Sequence, residues 1–328
     1  MQPSITEVLL PTPPSTKILS NDYQVFQSFN NCGPASLSMA LSYYDIHKTQ
    51  EELGQILRPY QNPQGNNDDK SVTLEELARH GESYGLIAYH RPHGSIEKIK
   101  AFIALDLPVI TRTWLQPNED IGHFRVVKGY DDTNRQIIQD DSYQGHDVWY
   151  PYDTFNSMWD KFGYEYLVFV PPDKKELVEA ILGDEKDEKI AWLHAIDAYH
   201  QILATDPTNI DTQFNLSVAY YNIGDYENSI KAFEKVENSL PSRTLWYQIE
   251  PIQAYFQLQR DQRVFDLTDS VLNHENRAFS ELYLLRGRIH ERNGNPELAK
   301  KEYEKAVLYH RNLTEAQEAL SSLNGEIN

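Results

Sequence analysis

The sequence predicts an α+β domain, in which an N-terminal helix precedes an antiparallel sheet, followed by an all-α domain of helical repeats. Three observations predict this organisation. Apolar, β-branched runs separated by turn residues occupy the chain up to Pro171 and Pro172. After that pair, proline and glycine become sparse and the spacing of the apolar residues becomes helical. The helical half also repeats itself, which is typical of an array of stacked helical units.

The composition limits the classes of function that the chain can have. Its 328 residues are 40% hydrophobic and 24% charged, an ordinary balance for a globular protein with two cores. The formal net charge of -19 argues against a nucleic-acid partner, because binding to phosphates requires a basic surface. A single cysteine leaves no intramolecular disulfide to form, and no run approaches the ~20 apolar residues that span a bilayer. We therefore expect no membrane span in this chain.

The first segment, residues 1–19, is rich in proline and threonine, which is typical of an extended linker. It lacks the basic region and the apolar core of a signal peptide. If this linker follows a signal or anchor that has been removed, we expect an extracytoplasmic or envelope-associated protein, and otherwise a cytoplasmic one.

The α+β domain is predicted over residues 20–172. Its strands are predicted from four runs that end in turn residues, "LPVITRTW", "GHFRVVKGYDD", "RQIIQDDS" and "EYLVFVPP". The loop that contains Asp68 and Asp69 lacks the alternating ligands of a calcium loop. It precedes a helix whose start is predicted by a capping box of Thr73 and Glu76.

The second domain is predicted over residues 173–328, as three to four repeats. Gly224 and Gly294 lie 70 positions apart in similar helix-turn-helix segments, and a degenerate third segment is centred halfway between them, near Gln259. The repeat length is therefore about 35 residues. Apolar, small and proline residues at the expected offsets make this region resemble tetratricopeptide repeats: Leu216, Tyr220, Ser229, Phe233, Val236 and Pro241, then Gly287, Ala299, Tyr303 and Ala306. A generic helical bundle is the alternative.

Cys32 is the candidate nucleophile. Pro34 suits the first turn of a helix, and an apolar stripe with helical spacing follows it, so the thiol lies at or just before a helix N-terminus. Unpaired amide groups and the positive end of the helix dipole favour the thiolate there. The alternative is a small, inert core residue, because free cysteines are usually buried.

A nucleophilic cysteine requires a base, and the base requires a group that orients it. His123 opens an apolar strand directly after Gly122, and the next strand ends in Asp140 and Asp141. Because side chains alternate along a strand, only one of these two aspartates can face His123. Gln27, five residues before Cys32, is close enough to donate its amide hydrogens to an oxyanion.

These residues carry a resemblance. "QSFNNCGPASLSMAL", "GHFRVVKGYDD" and "IIQDDSYQG" resemble the three motifs of the papain-like cysteine peptidases that process bacteriocin leaders at double-glycine sites, over approximately residues 20 to 172. The resemblance implies that Cys32 attacks, His123 is the general base and acid, Gln27 donates to the oxyanion hole and an aspartate orients the histidine. Asp141 is preferred, since "DSYQG" matches the family pattern, and Asp140 is the alternative. True leader peptidases are fused to a transporter that this chain lacks, which leaves the double-glycine specificity open.

The sequence therefore predicts a cysteine peptidase that acts on a peptide or protein and needs no cofactor or metal. The repeats are expected to bind a substrate or a protein partner in their concave groove. The alternative is a repeat-based protein-binding scaffold, in which the papain-like domain is vestigial or catalyses another acyl transfer, such as an amidase reaction. His90 and His93 have no acidic or cysteine partner at metal-ligand spacing, so they are interpreted as loop residues.

Overall fold

The computed structural model of the protein describes residues 9–60, 72–273 and 276–326, and it places a sheet with helices on both faces before an array of helices. Asp68 and Asp69 lie outside the described residues. The elements of the first domain are β1 (Thr16–Ile18), α1 (Cys32–Ser42), α2 (Gln50–Leu57), α3 (Leu74–Glu82), β2 (Ile87–Arg91), α4 (Ile96–Ala104), β3 (Val109–Trp114), β4 (Gly122–Asp131), β5 (Gln136–Asp141), β6 (Gly145–Pro151), α5 (Tyr152–Trp159) and β7 (Tyr166–Val170).

The sheet has the strand order β2-β7-β3-β4-β5-β6, and each pairing in it is antiparallel, as the alternating apolar runs predict. β1 pairs with the end of β4, beyond the part of β4 that pairs with β3. Part of the segment expected as a linker over residues 1–19 is therefore a strand. Gly129 explains how β1 fits, since a Cβ there would lie 2.7 Å from the Lys17 carbonyl oxygen. Residues 1–8 of that segment lie outside the described residues.

Helix α1 packs against the sheet along its whole length, and all of its residues are buried. Its short side chains allow a close approach: a Cβ on Gly33 would lie 2.2 Å from Val72, and the Ser36 hydroxyl donates to the Phe124 carbonyl oxygen at 3.1 Å. This packing holds the N-terminus of α1 against β4. The predicted capping box is present at the start of α3, where the Thr73 side chain accepts from the Glu76 backbone N–H and the Glu76 carboxylate accepts from the Thr73 N–H.

The second domain consists of helices, and each helix after α6 packs on neighbouring helices around one core. They are α6 (Lys175–Leu182), α7 (Glu188–Thr205), α8 (Ile210–Asn222), α9 (Tyr226–Glu234), α10 (Thr244–Tyr247), α11 (Glu250–Gln257), α12 (Asp261–Asn273), α13 (Ser280–Arg292), α14 (Pro296–Tyr309) and α15 (Thr314–Glu326). Small residues at the predicted offsets bring paired helices together, since a Cβ on Gly287 would lie 2.3 Å from the Tyr303 ring. No helix in the described ranges is both long and apolar enough to cross a membrane.

The change from strands to helices falls close to residue 173, where β7 has ended and a 3₁₀ turn begins. The core of the first domain nevertheless includes Val178 and Leu182 of α6, because α6 packs against α4. The packed unit of the first domain thus extends one helix past the change in secondary structure.

Candidate active site

Cys32 is the first residue of α1, as the sequence predicts, and it is 8% exposed. No acidic residue occupies the first turn of α1, so the positive end of the helix dipole acts on the thiol unopposed. The side chain of Asn31, which precedes it, donates to the Gln50 side chain at 3.1 Å instead of capping the helix. The amides of the first turn are therefore not satisfied by that side chain.

His123 contacts both Cys32 and Asp141. It is the second residue of β4 and is 2% exposed, and its imidazole is hydrogen-bonded to the Cys32 thiol. The Nε2 atom of His123 lies 2.9 Å from Asp141 Oδ1. Because Asp141 takes Nε2, Nδ1 is the ring nitrogen left for the thiol. The sequence-predicted thiol, imidazole and carboxylate thus form one connected chain.

The register of the sheet decides which aspartate meets the histidine. Arg125 of β4 is paired with Asp141 of β5, and His123 lies two residues before Arg125 on the same face. The Asp141 carboxylate therefore lies between them, with Oδ2 3.0 Å from Arg125 Nε. The backbone N–H groups of Tyr143 and Gln144 donate to Oδ1 at 2.7 and 3.0 Å.

Asp140 faces the opposite side of the sheet, away from His123. Its Oδ1 lies 2.8 Å from Lys128 Nζ and 2.8 Å from His146 Nδ1, and the Tyr43 hydroxyl donates to its Oδ2 at 3.3 Å. Asp140, His146 and Asp147 form a group with the donor atoms that a metal ion prefers. Lys128 Nζ also lies 2.8 Å from Asp147, so an ammonium group already supplies the positive charge between these carboxylates. This group therefore fits an internal ion pair better than a metal.

Gln27 is held at the end of β5. Its backbone N–H donates to the Ser142 carbonyl oxygen at 2.8 Å, and its side-chain Oε1 accepts from the Ser142 hydroxyl at 2.8 Å. The oxygen of the amide is thus occupied, which orients the NH₂ group as the donor. Ser142 follows Asp141 directly, so the structure brings Gln27 to the same end of β5 as the orienting carboxylate.

The charges around Cys32 favour an ion pair. Burial alone raises the pKa of the thiol, but the hydrogen bond and charge of His123, the charge of Arg58 and the backbone N–H of Phe124 outweigh it. The pKa of Cys32 therefore lies below its ordinary value. Burial alone lowers the pKa of His123, but the hydrogen bonds to Asp141 and Cys32 raise it above its ordinary value. Both shifts favour a thiolate beside an imidazolium.

Asp141 is ionised under the same conditions. Burial opposes its charge, but the hydrogen bond and charge of His123, the charge of Arg125 and the Gln144 amide hold the pKa of Asp141 well below its usual range. A permanently charged carboxylate keeps the imidazole in one tautomer and orientation.

Three buried arginines near the candidate site were not predicted from the sequence. Arg58, at the end of α2, donates to the Asn30 carbonyl oxygen. Arg125 binds Asp141, and Arg112 of β3 lies between the rings of Phe124 and Phe162. In the sequence, Arg112 and Arg125 are charged residues inside otherwise apolar strands. This pattern does not predict their burial, because an arginine on the exposed face of a strand gives the same pattern.

The two other histidines that the sequence singled out lie elsewhere. His90 is in β2, with Nε2 3.1 Å from Glu165, and His93 lies in the turn after β2. His93 lies outside the strands, as interpreted, but the interpretation of His90 as a loop residue is wrong, because His90 is paired with Leu167 in the sheet.

Two family models match the chain. Residues 18–167 match the model described as the peptidase C39 like family, and residues 210–238 and 280–320 match the model described as the tetratricopeptide repeat. No curated protein matches the chain.

Several solved structures resemble parts of the chain. One described as a C39-like peptidase from Bacillus anthracis is 20% identical, covers 47% of this chain and 97% of its own, and has a TM-score of 0.40. A double glycine motif protease from an AMS/PCAT transporter, in complex with the leader peptide, is 22% identical, covers 47% of this chain and 94% of its own, and has a TM-score of 0.36. A structure of MamA is 22% identical, covers 44% of this chain and 84% of its own, and has a TM-score of 0.38.

The fold and the family models together define a peptidase-like domain joined to a protein-binding repeat region. Residues 18–167 match a peptidase C39-like domain, and the matches to tetratricopeptide repeats follow it. The predicted fold class is thus confirmed, and so is the resemblance from which it was partly drawn.

Proposed function

We propose that the protein is a cysteine peptidase that hydrolyses peptide bonds at Cys32. The observation that carries this proposal is the connected chain of Cys32, His123 and Asp141, in which the pKa of the thiol is lowered and that of the imidazole is raised. An inert core cysteine has no reason to contact a buried histidine that a buried carboxylate orients.

The first half of the proposed reaction acylates the enzyme. The Cys32 thiolate attacks the carbonyl carbon of the peptide bond, and the carbonyl oxygen becomes an oxyanion. The Gln27 amide and the backbone N–H of Cys32 stabilise that charge. The His123 imidazolium then gives its proton to the leaving amine, the C–N bond breaks and a thioester remains.

The second half releases the product. Neutral His123 takes a proton from water, the hydroxide attacks the thioester carbon, and the C–S bond breaks to return the Cys32 thiolate beside the imidazolium. Asp141 holds the imidazole through Nε2 in both halves. Arg125 occupies the second oxygen of Asp141, so it positions the carboxylate without touching the substrate.

The repeats are proposed to bind the substrate or a protein partner, with residues 173–328 as the binding domain and residues 20–172 as the catalytic one. Tetratricopeptide arrays present a concave groove, and stacked repeats of this kind usually bind rather than react. The strongly acidic chain, with a net charge of -19, fits a protein substrate better than a nucleic acid.

The test is a digestion of a peptide library by the wild-type protein and by Cys32→Ala in parallel. We expect cuts at defined positions with the wild type and none with the variant, because truncation of the thiol removes the nucleophile and little packing. Cuts that persist in Cys32→Ala would exclude the proposed nucleophile. A thioester on Cys32 that passes its acyl group to an added amine rather than to water would instead favour another acyl transfer.

A further inference from the structure

A segment of the repeat domain lies against the candidate active site of the first domain. This covering segment, residues 240–250, joins the end of one repeat to the start of α11 and contains the short helix α10. It falls in the repeat that is degenerate in sequence. The first helix of that repeat is broken at Gln248, whose backbone is extended.

Pro251 explains why the helix breaks there. In a continuous helix, the backbone N–H of residue 251 would donate to the carbonyl oxygen of Tyr247, but proline has no N–H. The freed Tyr247 carbonyl oxygen accepts from Arg112 of the first domain at 3.0 Å instead. The sequence irregularity thus creates the contact with β3.

The Tyr247 ring lies directly beside the start of β4. A Cβ on Gly122 would lie 2.9 Å from this ring, and the Gly122 backbone N–H is hydrogen-bonded to the Tyr247 hydroxyl. Gly122 immediately precedes His123. The ring also meets the Phe162 ring edge-on, with centroids 5.9 Å apart, and lies 5.5 Å from the Arg112 guanidinium.

Polar contacts hold the two sides of Tyr247 in place. On one side, Arg243 forms an ion pair with Asp120 at 2.7 Å, in the turn that precedes β4. On the other side, the Gln248 side chain donates to Glu165 at 3.4 Å. The Arg243–Asp120 pair is partly exposed, so its loss costs little, whereas Gln248 and Glu165 are buried and hold the segment more firmly.

We propose that the covering segment is a built-in cover, which restricts the access of large molecules to Cys32 while it is docked on Gly122 and Arg112. Cys32 and His123 are 8% and 2% exposed in the docked arrangement. The contacts of the covering segment do not depend on the proposed function. The biological role of the cover does rest on it, because access to Cys32 matters only if the thiol reacts with a peptide. A partner that draws the degenerate repeat away from β4 would widen the access.

The test compares how fast Cys32 reacts with a small and with a large alkylating reagent, iodoacetamide and a maleimide that carries a long polyethylene glycol chain. Cys32 is the only cysteine of the chain, so all labelling reports on this thiol. The readout is the ratio of the large-reagent rate to the small-reagent rate. A change in thiol pKa alters both rates alike, whereas removal of a steric cover raises the ratio.

The test variants are Tyr247→Ala, which removes the ring, and Arg243→Ala, which removes the anchoring ion pair. The matched control is Arg263→Ala. Arg263 forms an ion pair with Glu237 at 2.6 Å, and its side chain is 36% exposed, against 37% for Arg243, but its partner Glu237 lies within the repeat domain.

We expect the ratio to rise roughly two- to fivefold in Arg243→Ala, the range that loss of a partly exposed ion pair produces, and more in Tyr247→Ala. Arg263→Ala should keep the wild-type ratio. An unchanged ratio in both test variants, or an equal rise in the control, overturns the proposal. The labelling requires no hydrolysis, so the two proposals can fail separately. If the ratio rises in the test variants but the wild type cuts no peptide, the cover is supported and the peptidase assignment is not. If the wild type cuts peptides but the ratio does not rise, the peptidase assignment is supported and the cover is not.

Discussion

Asp141 is the residue on which the charge state of the candidate site depends. Its two carboxylate oxygens are divided between His123 and Arg125, and two backbone amides complete its hydrogen bonds. A buried carboxylate with so many donors keeps its charge, and that charge keeps the imidazolium stable beside the thiolate. Replacement of the Asp141 carboxylate by an amide should therefore alter the pKa of the Cys32 thiol, although Asp141 acts on the thiol only through His123.

We predict that Asp141→Asn moves the pH profile of Cys32 alkylation to higher pH. In the wild type the lowered thiol pKa and the raised imidazole pKa leave the thiolate present below the ordinary thiol range. Without the carboxylate, the pKa of His123 falls, the imidazolium is lost and the pKa of Cys32 rises. The rate of iodoacetamide labelling as a function of pH measures this inflection. Asp140→Asn is the matched control and should leave the inflection in place; a larger shift from Asp140→Asn would contradict the assignment of Asp141.

We predict that His123→Ala lowers kcat for the substrate found in the library by about four orders of magnitude or more. This loss is nearly as large as that of Cys32→Ala, because the thiol cannot catalyse the reaction without its base. Asp141→Asn should cost less, since it misorients the base without removing it. Steady-state kinetics on purified variants provide the measurement. His200→Ala, at an exposed histidine of α7, is the control that should keep wild-type kcat. Equal rates for His123→Ala and the wild type would be incompatible with general acid–base catalysis at this residue.

At the scale of the elements, the close packing of α1 on the sheet sets the distance between the thiol and the histidine. Gly33 follows Cys32, and it is the residue that allows Val72 to pack against the first turn. The Ser36 hydrogen bond to the Phe124 carbonyl oxygen fastens the same helix to the residue after His123. The packing of α1 on β4 therefore sets the backbone positions of Cys32 and His123, and Asp141 then orients the imidazole.

We predict that Gly33→Ala destabilises the protein by about 1–3 kcal/mol, the usual cost of overpacking, and slows labelling of Cys32 by iodoacetamide at neutral pH. The added Cβ would lie 2.2 Å from Val72, so the first turn of α1 must shift away from the segment that precedes α3. Gly325→Ala is the matched control, because a Cβ at this helical glycine meets nothing within 4 Å. Thermal melts and labelling rates of the two variants test this; unaltered values in Gly33→Ala would mean that Val72 yields without moving the helix.

Local patterns explain which parts of the molecule could be predicted. The strands β3, β4, β5 and β7, the start of α1 and the capping box of α3 follow from alternation, helical spacing and capping residues close together in the chain. β1 has only three residues, which is too short for a periodic signal.

The contacts of Arg112, Arg125 and Tyr247 could not be predicted, because they depend on how distant segments meet. The choice between Asp140 and Asp141 rested on a resemblance, and the register of β4 and β5 supplies the physical reason that Asp141 faces His123.

At the scale of the whole molecule, the described residues of the repeat array contact the first domain at its start, in its middle and near its end. Near its start, the Tyr199 hydroxyl donates to the Gly163 carbonyl oxygen at 2.9 Å, and Asn215 donates to the Asp160 carbonyl oxygen at 2.7 Å. The covering segment is the second place. Near the end of the array, Asn312 donates to the carbonyl oxygen of Gln55, in α2, at 3.0 Å.

We predict that the two domains unfold in one transition and that Tyr199→Phe lowers the stability of both by about 1 kcal/mol, the usual net value of one hydrogen bond. Tyr199 is 2% exposed, so its hydroxyl is shielded from water. Tyr220→Phe is the control, because the Tyr220 hydroxyl meets only the exposed His200 within the repeat domain. Calorimetry of the full chain measures the effect; two separate transitions, with Tyr199→Phe acting on one alone, would show that the domains unfold independently.

An array of stacked repeats behaves as a spring, because each unit touches only its neighbours and small rotations add along the stack. A spring with one free end relaxes when something binds along it. Here both ends are fastened to the same body, at Gly163 and at Gln55. A ligand that changes the helical pitch of the array therefore cannot be accommodated by movement of a free end. The strain falls instead on the middle of the array, at the irregular repeat that contacts β4.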